Sequence, residues 1–532
     1  MPVRTRCKTR RMLDTARHQP APRARRRRGG IAIATAVLAL LAASAVGFGS
    51  VAPAAADPEM TYLAVPSGRY PIDVDATPDG AHVFVISRGD GGAADLRVYD
   101  TTDFAQLGVV TFGPGTDFNP TSVQVSPDGS QVWVAFYNPG QILVYPTADL
   151  VAGGTPAPIV ITAGGGFVDL EADTAGTYVY AATLFNPQYQ FSTADPTAPP
   201  RTVAVPNGSR GVSVRTDDTQ AYFTSFAPAP TGGVQAVDVA GDGSLTLGTL
   251  TPTGDLPWDS AYVENVDRVL SSNSGTPTSI SAFTPGSADP VSTVPVDCGP
   301  RLLDSTPNGD RVYVACLTGG IVAIDYETGT PVGARVDIGA NVESVDAYSA
   351  TGADADRVYA TSGGTDELLV FTKPTITGGG DLTVDEGATA TFTATADDFW
   401  QQIRWQSSTD GGTTWTDVAG ATGESLAVDG TLENSGLRVR LVATSALFDA
   451  VIGDPMLLTV TPAPTPTPTP TAGPTPAPSP TGAPEPCTAG APCLPATGVD
   501  AASGVTLAVG ALAASGLLLA FARTARRRAG RS

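Results

Sequence analysis

Short hydrophobic segments recur along most of the chain at a nearly constant spacing. Their central residues lie 42 to 49 residues apart. The seven segments are Val83-Phe84-Val85, Val132-Trp133-Val134, Val179-Tyr180-Ala181, Ala221-Tyr222-Phe223, Val269-Leu270-Ser271, Val312-Tyr313-Val314 and Val358-Tyr359-Ala360. Most follow a segment such as Pro78-Asp79-Gly80 or Pro307-Asn308-Gly309. Such segments favour tight turns, because Gly and Asn tolerate the positive φ that these turns require. Each unit is therefore predicted to open with a β-hairpin.

Further strands are predicted after each hairpin. A third strand ends at Tyr99, Tyr145, Phe191, Val237, Phe283, Ile324 and Phe371. A fourth strand is predicted in the first six units, as in Val203 to Gly208. Four short strands per unit of about 45 residues is the pattern of a β-propeller blade. The sequence thus predicts an all-β chain with a seven-bladed propeller over residues 57–373.

The seventh unit lacks a fourth strand of its own, because Phe371 leads directly into Lys373 and Pro374. The segment from Tyr62 to Gly68 closely matches the fourth strand of the third unit, Thr202 to Gly208. We therefore predict that the N-terminal strand completes the last blade. Such closure removes exposed sheet edges, which promote aggregation.

Two of the hairpins carry a family resemblance. The stretches Val125 to Ala135 and Thr306 to Ala315 resemble the YVTN family of β-propellers. That family includes surface-layer proteins and shares its fold with lactonases. The resemblance therefore implies a propeller without fixing an activity.

Residues 374–460 remain rich in predicted strands, but the blade period stops. Alternation in Ala388 to Ala394 and the isolated Trp405 resemble an immunoglobulin-like sandwich without its cysteine pair. One stretch resembles the Asp-box of sialidase propellers and is interpreted as a structural turn: Ser408, Asp410, Gly412, Thr414 and Trp415. Residues 461–493 form a Pro/Thr-rich linker that favours an extended polyproline II conformation.

The two ends of the chain predict export. Residues 1–56 combine basic residues with a long uncharged stretch, which is typical of a signal peptide cleaved between Ala56 and Asp57. Residues 494–532 begin with Leu494, Pro495, Ala496, Thr497 and Gly498. An uncharged stretch and an arginine-rich tail follow, which predict a transmembrane helix.

This order of elements resembles the sorting signal of Gram-positive LPXTG proteins. The resemblance implies that a sortase attacks the Thr497 carbonyl and transfers the chain from a transient membrane-bound precursor to peptidoglycan. The predicted location is the cell-wall surface. An ordinary C-terminal membrane anchor is the alternative.

Composition narrows the chemistry that is available. Residues 57–497 carry 15 basic and 50 acidic residues, a net charge of −35, which excludes nucleic acid as a partner. His82 is the single histidine of this range, so a histidine-dependent hydrolase or lactonase would have to use it. We favour disulfides between Cys298 and Cys316 and between Cys487 and Cys493, with free thiols as the alternative.

Ligands of propellers usually bind where loops enter the innermost strands. Alignment of the units places Asp73, Ser122, Asp169, Gly211, Asp259, Leu302 and Ser344 in one column. Asp73, Asp169 and Asp259 are candidate Ca²⁺ ligands, and the alternative is that they accept hydrogen bonds from backbone amides. Tyr70, Arg210, Trp258 and Arg301 are predicted to surround the mouth and to bind an extracellular protein or glycan. A surface-displayed hydrolase or lactonase and a passive envelope-coat or spacer protein are the alternative functions.

Overall fold

The computed structural model describes residues 62–114, 118–290, 292–306, 310–327, 329–352, 354–465 and 473. The predicted signal cleavage at Ala56 and Asp57, the LPATG motif, Cys487 and Cys493 lie outside the described residues, as does most of the linker. Within them the only α-helix is α1 (Thr147–Val151), and two 3-10 helices cover Glu264–Val266 and Leu432–Asn434. No helix in this part of the chain has the length and apolar character needed to cross a membrane.

The described residues between Leu63 and Thr372 form seven antiparallel sheets. The chain begins with β1 (Leu63–Pro66) and continues with sheet 1, which contains β2 (Pro71–Ala76), β3 (His82–Ser87), β4 (Ala93–Asp100) and β5 (Gln106–Pro114). Sheet 2 contains β6 (Asn119–Val125), β7 (Gln131–Asn138), β8 (Gln141–Pro146) and β9 (Ile159–Thr162). Sheet 3 contains β10 (Phe167–Ala172), β11 (Tyr178–Thr183), β12 (Gln188–Ser192) and β13 (Arg201–Val203).

The remaining sheets repeat the same order. Sheet 4 contains β14 (Ser209–Val214), β15 (Gln220–Ser225), β16 (Gly233–Val239) and β17 (Leu245–Pro252). Sheet 5 contains β18 (Pro257–Val263), β19 (Arg268–Asn273), β20 (Ser279–Phe283) and β21 (Ser292–Pro295). Sheet 6 contains β22 (Pro300–Ser305), β23 (Arg311–Cys316) and β24 (Gly320–Asp325). Sheet 7 contains β25 (Val342–Tyr348), β26 (Arg357–Ser362), β27 (Glu367–Thr372) and β1.

The sheets follow one another around a ring. The first strand of each sheet contacts the first strand of the next, and β25 of the last sheet contacts β2 of the first. A separate hydrophobic cluster fills each of the seven junctions between neighbouring sheets. The fold is therefore all-β and propeller-like.

The hydrophobic trios of the sequence fill these junctions in alternation. The central residue of each trio packs into the cluster shared with the following sheet, and its apolar neighbours pack into the cluster shared with the preceding one. Trp133, for example, contacts sheet 3, whereas Val132 and Val134 contact sheet 1. This arrangement follows from the strand period of two, which sends successive side chains to opposite faces.

The N-terminal strand joins the last sheet, as the sequence predicts. β1 pairs antiparallel with β27 in a register that places Leu63 opposite Val370 and Val65 opposite Leu368. The Tyr99 hydroxyl of sheet 1 donates a hydrogen bond of 3.1 Å to the Pro66 carbonyl. The first and last described strands of the ring are thus held together by backbone pairing.

Among the described residues, the fourth strand predicted for the sixth unit does not form, so that expectation is wrong. Isolated bridges between Ile321 and Val336 and between Ile324 and Pro331 are what the described part of the chain places along the β24 edge. Pro331 has no amide hydrogen to donate to a ladder. A Cβ atom on Gly333 would lie only 3.2 Å from Ala446, so the chain that follows the propeller-like part packs closely here.

A further β-rich part, residues 375–461, follows the seven sheets, and we call it the second unit to separate it from the repeats of the ring. Its strands are β28 (Thr375–Thr377), β29 (Leu382–Asp385), β30 (Thr389–Thr393), β31 (Thr395–Asp397), β32 (Gln402–Ser408), β33 (Thr416–Asp417), β34 (Ser425–Asp429), β35 (Arg438–Thr444), β36 (Val451–Ile452) and β37 (Met456–Thr461). A core that includes Phe392, Trp405, Leu426 and Leu441 packs the β30–β34 pair against the sheet β29-β37-β35-β32-β33. The Trp405 ring is fully buried, and its Nε1 donates to the Gly423 carbonyl at 2.7 Å.

The second unit shares a hydrophobic cluster with sheets 6 and 7. Phe399 packs edge-on against Phe371 with ring centroids 5.0 Å apart, and Phe448 joins the same cluster. The Tyr313 hydroxyl and the Arg311 guanidinium both donate to the Leu447 carbonyl, at 2.9 and 3.2 Å. The two β-rich parts therefore have a common core at this junction.

The closure of the ring can be tested with two substitutions in one strand. The side chain of Val65 is buried between sheets 7 and 1, whereas that of Leu63 is 48% exposed. Val65→Asp places a carboxylate in an apolar junction and is expected to lower the free energy of unfolding by roughly 2–4 kcal/mol. Leu63→Asp should change it by less than about 0.5 kcal/mol. Denaturant titration of the full chain measures both, and equal effects would contradict the observed register.

Candidate functional site

The first strand of every sheet enters the ring through an irregularity. Its register with the second strand shifts at the entry in all seven sheets, for example between Pro257 and Asp259. The residues within these shifts include Ile72, Thr121, Val168, Arg210, Trp258, Arg301 and Glu343. Such bulges re-aim side chains, so two adjacent residues can serve the same side of the strand.

These seven entry residues line one cavity of about 240 Å³, which we call the arginine cavity. Three of the four residues predicted for the mouth, Arg210, Trp258 and Arg301, meet there. Tyr70 is linked to the same site, because its hydroxyl donates to Glu343 Oε1 at 2.7 Å. Residues that the alignment placed at one position of the repeat thus meet in the structure, one each from sheets 4, 5 and 6.

Trp258 is the centre of the basic side of this cavity. The Arg301 guanidinium carbon lies 3.7 Å from the Trp258 ring centroid, and the Arg210 carbon lies 4.0 Å from it. Arg210 also lies 4.4 Å from the Phe226 ring centroid. Guanidinium groups stack favourably on aromatic faces, and this stacking leaves the N–H groups at their edges free to donate.

Sequence reasoning missed Arg88, Tyr137 and Glu343 as lining residues. Glu343 immediately precedes Ser344, just as Arg301 precedes Leu302, so it occupies the same position of the repeat as Arg301. Arg88 and Tyr137 each follow the centre of a hydrophobic trio by four residues. The repeat therefore contains a signal for all three residues: the position before the aligned column for Glu343, and the fourth position after the centre of the trio for Arg88 and Tyr137.

The positive charges in the cavity disfavour one another. Burial, together with the charges of Arg301 and Arg88, lowers the pKa of Arg210 to about 10. Burial also lowers the pKa of Arg301, while Glu343 opposes that shift. Both guanidinium groups nevertheless remain protonated at neutral pH.

The candidate Ca²⁺ ligands connect neighbouring sheets. Asp73 accepts from the Val123 amide at 2.9 Å, Asp169 from the Val212 amide at 2.9 Å, and Asp259 from the Leu303 amide at 2.8 Å. Ser344 closes the circle, because its hydroxyl donates to Asp73 at 2.6 Å. These contacts correspond to the alternative in which the column holds backbone amides.

A second cavity lies along the first strands next to this column, and we call it the channel. Four further carboxylates, absent from the sequence-based set, line it. They are Asp75, Glu171, Asp304 and Asp346, each two residues beyond the aligned column. Asp304 accepts from the Ala347 amide at 2.6 Å. The strand period of two places these residues on the same side as the column, which explains the second acidic layer.

Burial raises the pKa of these channel carboxylates. The pKa of Asp73 and of Asp304 is raised to about 6, and that of Asp169 to about 7. Burial likewise raises the pKa values of Asp75, Asp259, Asp346 and Glu171, and neighbouring carboxylates add to the shift. The channel therefore retains protons to a higher pH than isolated carboxylates would.

Among the described residues, the carboxylate oxygens that come within 4.8 Å of one another as a group of three belong to Asp310, Asp354 and Asp449. Asp73, Asp169 and Asp259 do not form such a group. Arg311 already pairs with Asp449 at 2.5 Å, so the cluster is part of the ion-pair contact between sheet 6 and the second unit.

The other sequence candidates lie away from the arginine cavity. Cys298 and Cys316 form a disulfide with Cα atoms 5.5 Å apart, as the sequence predicts. His82 begins β3, and its amide donates to the Thr77 hydroxyl at 3.0 Å. In the Asp-box-like stretch, Asp410 accepts from the Thr413 and Thr414 amides at 2.9 Å, which is the geometry of a turn.

Similarity to known proteins is limited. Residues 374–462 match a family described as a domain of unknown function, DUF8696. No curated protein matches the chain.

Each of three similar solved structures aligns with 60% of this chain. They include U3-55K (11% identity, all of that chain, TM-score 0.47) and Kuenenia stuttgartiensis hydrazine synthase (14% identity, 99% of that chain, TM-score 0.48). A third is the dihydro-heme d1 dehydrogenase NirN in complex with DHE (18% identity, 72% of that chain, TM-score 0.43). At these identities none of them indicates what this chain binds or does.

The raised pKa values predict a pH-dependent stability. Because the pKa of Asp169 rises from 3.8 to about 7, the folded chain keeps a proton that the unfolded chain has already lost. The stabilisation from this proton is complete below about pH 4 and is lost as the pH rises through about 7. Asp169→Asn removes this titration. From about pH 4 to about pH 7, the free energy of unfolding of the variant should therefore rise by ~1–4 kcal/mol relative to that of the parent, and above pH 7 the difference should stay constant.

Thermal or denaturant unfolding of the full chain from pH 4 to pH 8 measures this difference. Asp289→Asn, which removes an exposed carboxylate, is the control for net charge. A stability difference between Asp169→Asn and the parent that does not change with pH would contradict the assignment.

Proposed function

We propose that this chain is a secreted surface protein, anchored to peptidoglycan by sortase, and that it binds an extracellular protein or glycan. The binding element in this proposal is a seven-bladed β-propeller of the YVTN type, completed by its N-terminal strand. An immunoglobulin-like domain over residues 374–460 and the linker over residues 461–493 connect it to the wall. The observation that carries the binding function is the arginine cavity.

The arginine cavity supports binding by its place and its composition. It lies where the first strands enter the ring, and residues from all seven sheets line it. Aromatic and arginine side chains are enriched at the energetic centres of interfaces. The chain has only 14 arginines between residues 57 and 497, so three of them around one cavity is a strong concentration of positive charge.

The anchoring part of the proposal is supported by the sequence. The LPATG motif, the uncharged stretch from Ala501 to Ala522 and the arginines that follow occur in the order of a sorting signal. A proline-rich linker of 33 residues precedes the motif, and such segments act as semi-rigid spacers. This arrangement suits a folded part that is held outside the wall.

A substitution in the sorting motif tests the anchoring. Thr497→Ala removes the residue whose carbonyl the sortase is proposed to attack, so the chain should move from the wall fraction to the detergent-soluble membrane fraction. Thr481→Ala, in the linker, should remain in the wall fraction. Immunoblots of fractions prepared with a muralytic enzyme and with detergent measure the distribution. Release of the unsubstituted chain by detergent alone would contradict sortase anchoring.

A double substitution tests the binding function. Trp258→Ala combined with Arg301→Ala removes the stacked pair, and binding to any ligand of the mouth should weaken about tenfold or more. Arg268→Ala is the control, because Arg268 pairs with Val263 at the far end of β18 from Trp258. The full chain is screened against glycans and extracellular proteins. A ligand that binds the parent and the double variant equally would contradict a binding site at the mouth.

A further inference from the structure

Within the described part of the chain, none of the three arginines of the cavity forms an ion pair. Among the described residues, the guanidinium groups of Arg210 and Arg301 make no ion pair and no hydrogen bond, and the Nε atom of each is buried without an acceptor. Five other arginines of the described residues do form ion pairs, as Arg97 does with Asp95 at 2.9 Å. A buried donor without an acceptor is costly, so these two groups are poised to meet an acceptor from outside.

The nearest acidic side chain does not neutralise the cavity. Glu343 lines it, but one carboxylate oxygen already accepts from the Tyr70 hydroxyl. Against this single negative charge stand the charges of Arg88, Arg210 and Arg301. An anion would relieve the mutual repulsion of these cations, whereas a neutral ligand would leave it in place.

The orientation of the guanidinium groups suits an oxyanion. Each is held against the Trp258 ring, so its remaining donors lie at the edge of a fixed plane. Planar guanidinium edges match carboxylate and phosphate oxygens in pairs, and charge-assisted bonds of this kind are stronger than neutral ones.

The rest of the lining favours a ligand that also carries hydroxyl groups. Asn119 and Tyr137 line the cavity with neutral polar side chains, and neither side chain makes a hydrogen bond among the described residues. The volume of about 240 Å³ is below the range of about 300–1,000 Å³ that is typical of drug-sized ligands. It therefore suits one small polar unit more than an extended apolar one.

We infer that the arginine cavity binds an acidic sugar unit of an extracellular glycan. Its carboxylate, sulfate or phosphate group accepts hydrogen bonds from Arg210 and Arg301, and its hydroxyls face Asn119 and Tyr137. This inference rests on the proposed function, since it names the ligand class of the same mouth. An acidic peptide would also satisfy the arginines, but a cavity of about 240 Å³ suits one compact polar unit better than an extended chain.

Calorimetry of the purified full chain tests this with five probes. They are glucuronic acid, glucose 6-sulfate, glucose 6-phosphate, glucose and a glutamate-rich peptide, and the first three distinguish the source of the anion. Binding of at least one acidic sugar, at least about tenfold tighter than that of glucose and the peptide, supports the inference. Its affinity should fall as sodium chloride is raised.

Substitutions then test the role of the arginines. Arg210→Gln should weaken the binding of the acidic sugar about tenfold or more, and Arg301→Gln should do the same independently. Arg210→Lys keeps the charge but not the paired donors, so it should lie between the parent and Arg210→Gln. Arg268→Gln is the matched control and should leave binding unchanged. Unfolding midpoints identify any variant that fails to fold, and the remaining variant then decides.

Three results would overturn the inference. Glucose could bind as tightly as every acidic sugar, the peptide could bind more tightly than all of the sugars, or Arg210→Gln and Arg301→Gln could both bind like the parent. If no acidic sugar binds, but another ligand is lost in the Trp258 and Arg301 double variant, the inference fails while the proposed function stands. If no ligand depends on the mouth, both fail.

Discussion

Contact between neighbouring sheets through apolar side chains is the constraint on which the rest of this structure depends. Each middle strand sends one residue of its trio forward and the flanking residues backward, so every sheet belongs to two clusters at once. Burial of a large apolar side chain contributes roughly 1.5–3 kcal/mol. Because each cluster needs a sheet on both sides, the ring is stable only when it is closed. The pairing of β1 with β27 supplies that closure.

Closure also determines which side chains suit the inner strands, which are the first strands of the seven sheets. Their edges face a shared axis, where apolar side chains have no neighbouring sheet to pack against. Carboxylates and hydroxyls occupy this position, and they bind amides of the next sheet, as Asp169 binds the Val212 amide. Seven carboxylates line the channel as a result, and burial raises their pKa values. The hydrogen bonds that join neighbouring sheets at the axis therefore require several carboxylates to be buried close to one another.

The two ends of the inner strands differ in electrostatic character. The entry irregularities bring arginine and tryptophan side chains to one mouth, while the regular part of the same strands carries carboxylates. Trp258 and Asp259 are adjacent in sequence and belong to these two environments. A single bulge per strand therefore separates a basic cavity from an acidic channel. The second unit packs against sheets 6 and 7 and leaves this entry region unlined by its residues.

The sequence alone determined the strand-rich repeat, the number of units, the pairing of the N-terminal strand and the Cys298–Cys316 pair, because strand period and turn chemistry are local properties. It also located Arg210, Trp258 and Arg301 through their common position in the repeat. Only the tertiary structure decided that Asp73 accepts a hydrogen bond from the Val123 amide, and that sheet 6 lacks a regular fourth strand. These outcomes depend on which surfaces meet across a junction, such as Ala446 against Gly333, and residues far apart in sequence carry no local record of such contacts.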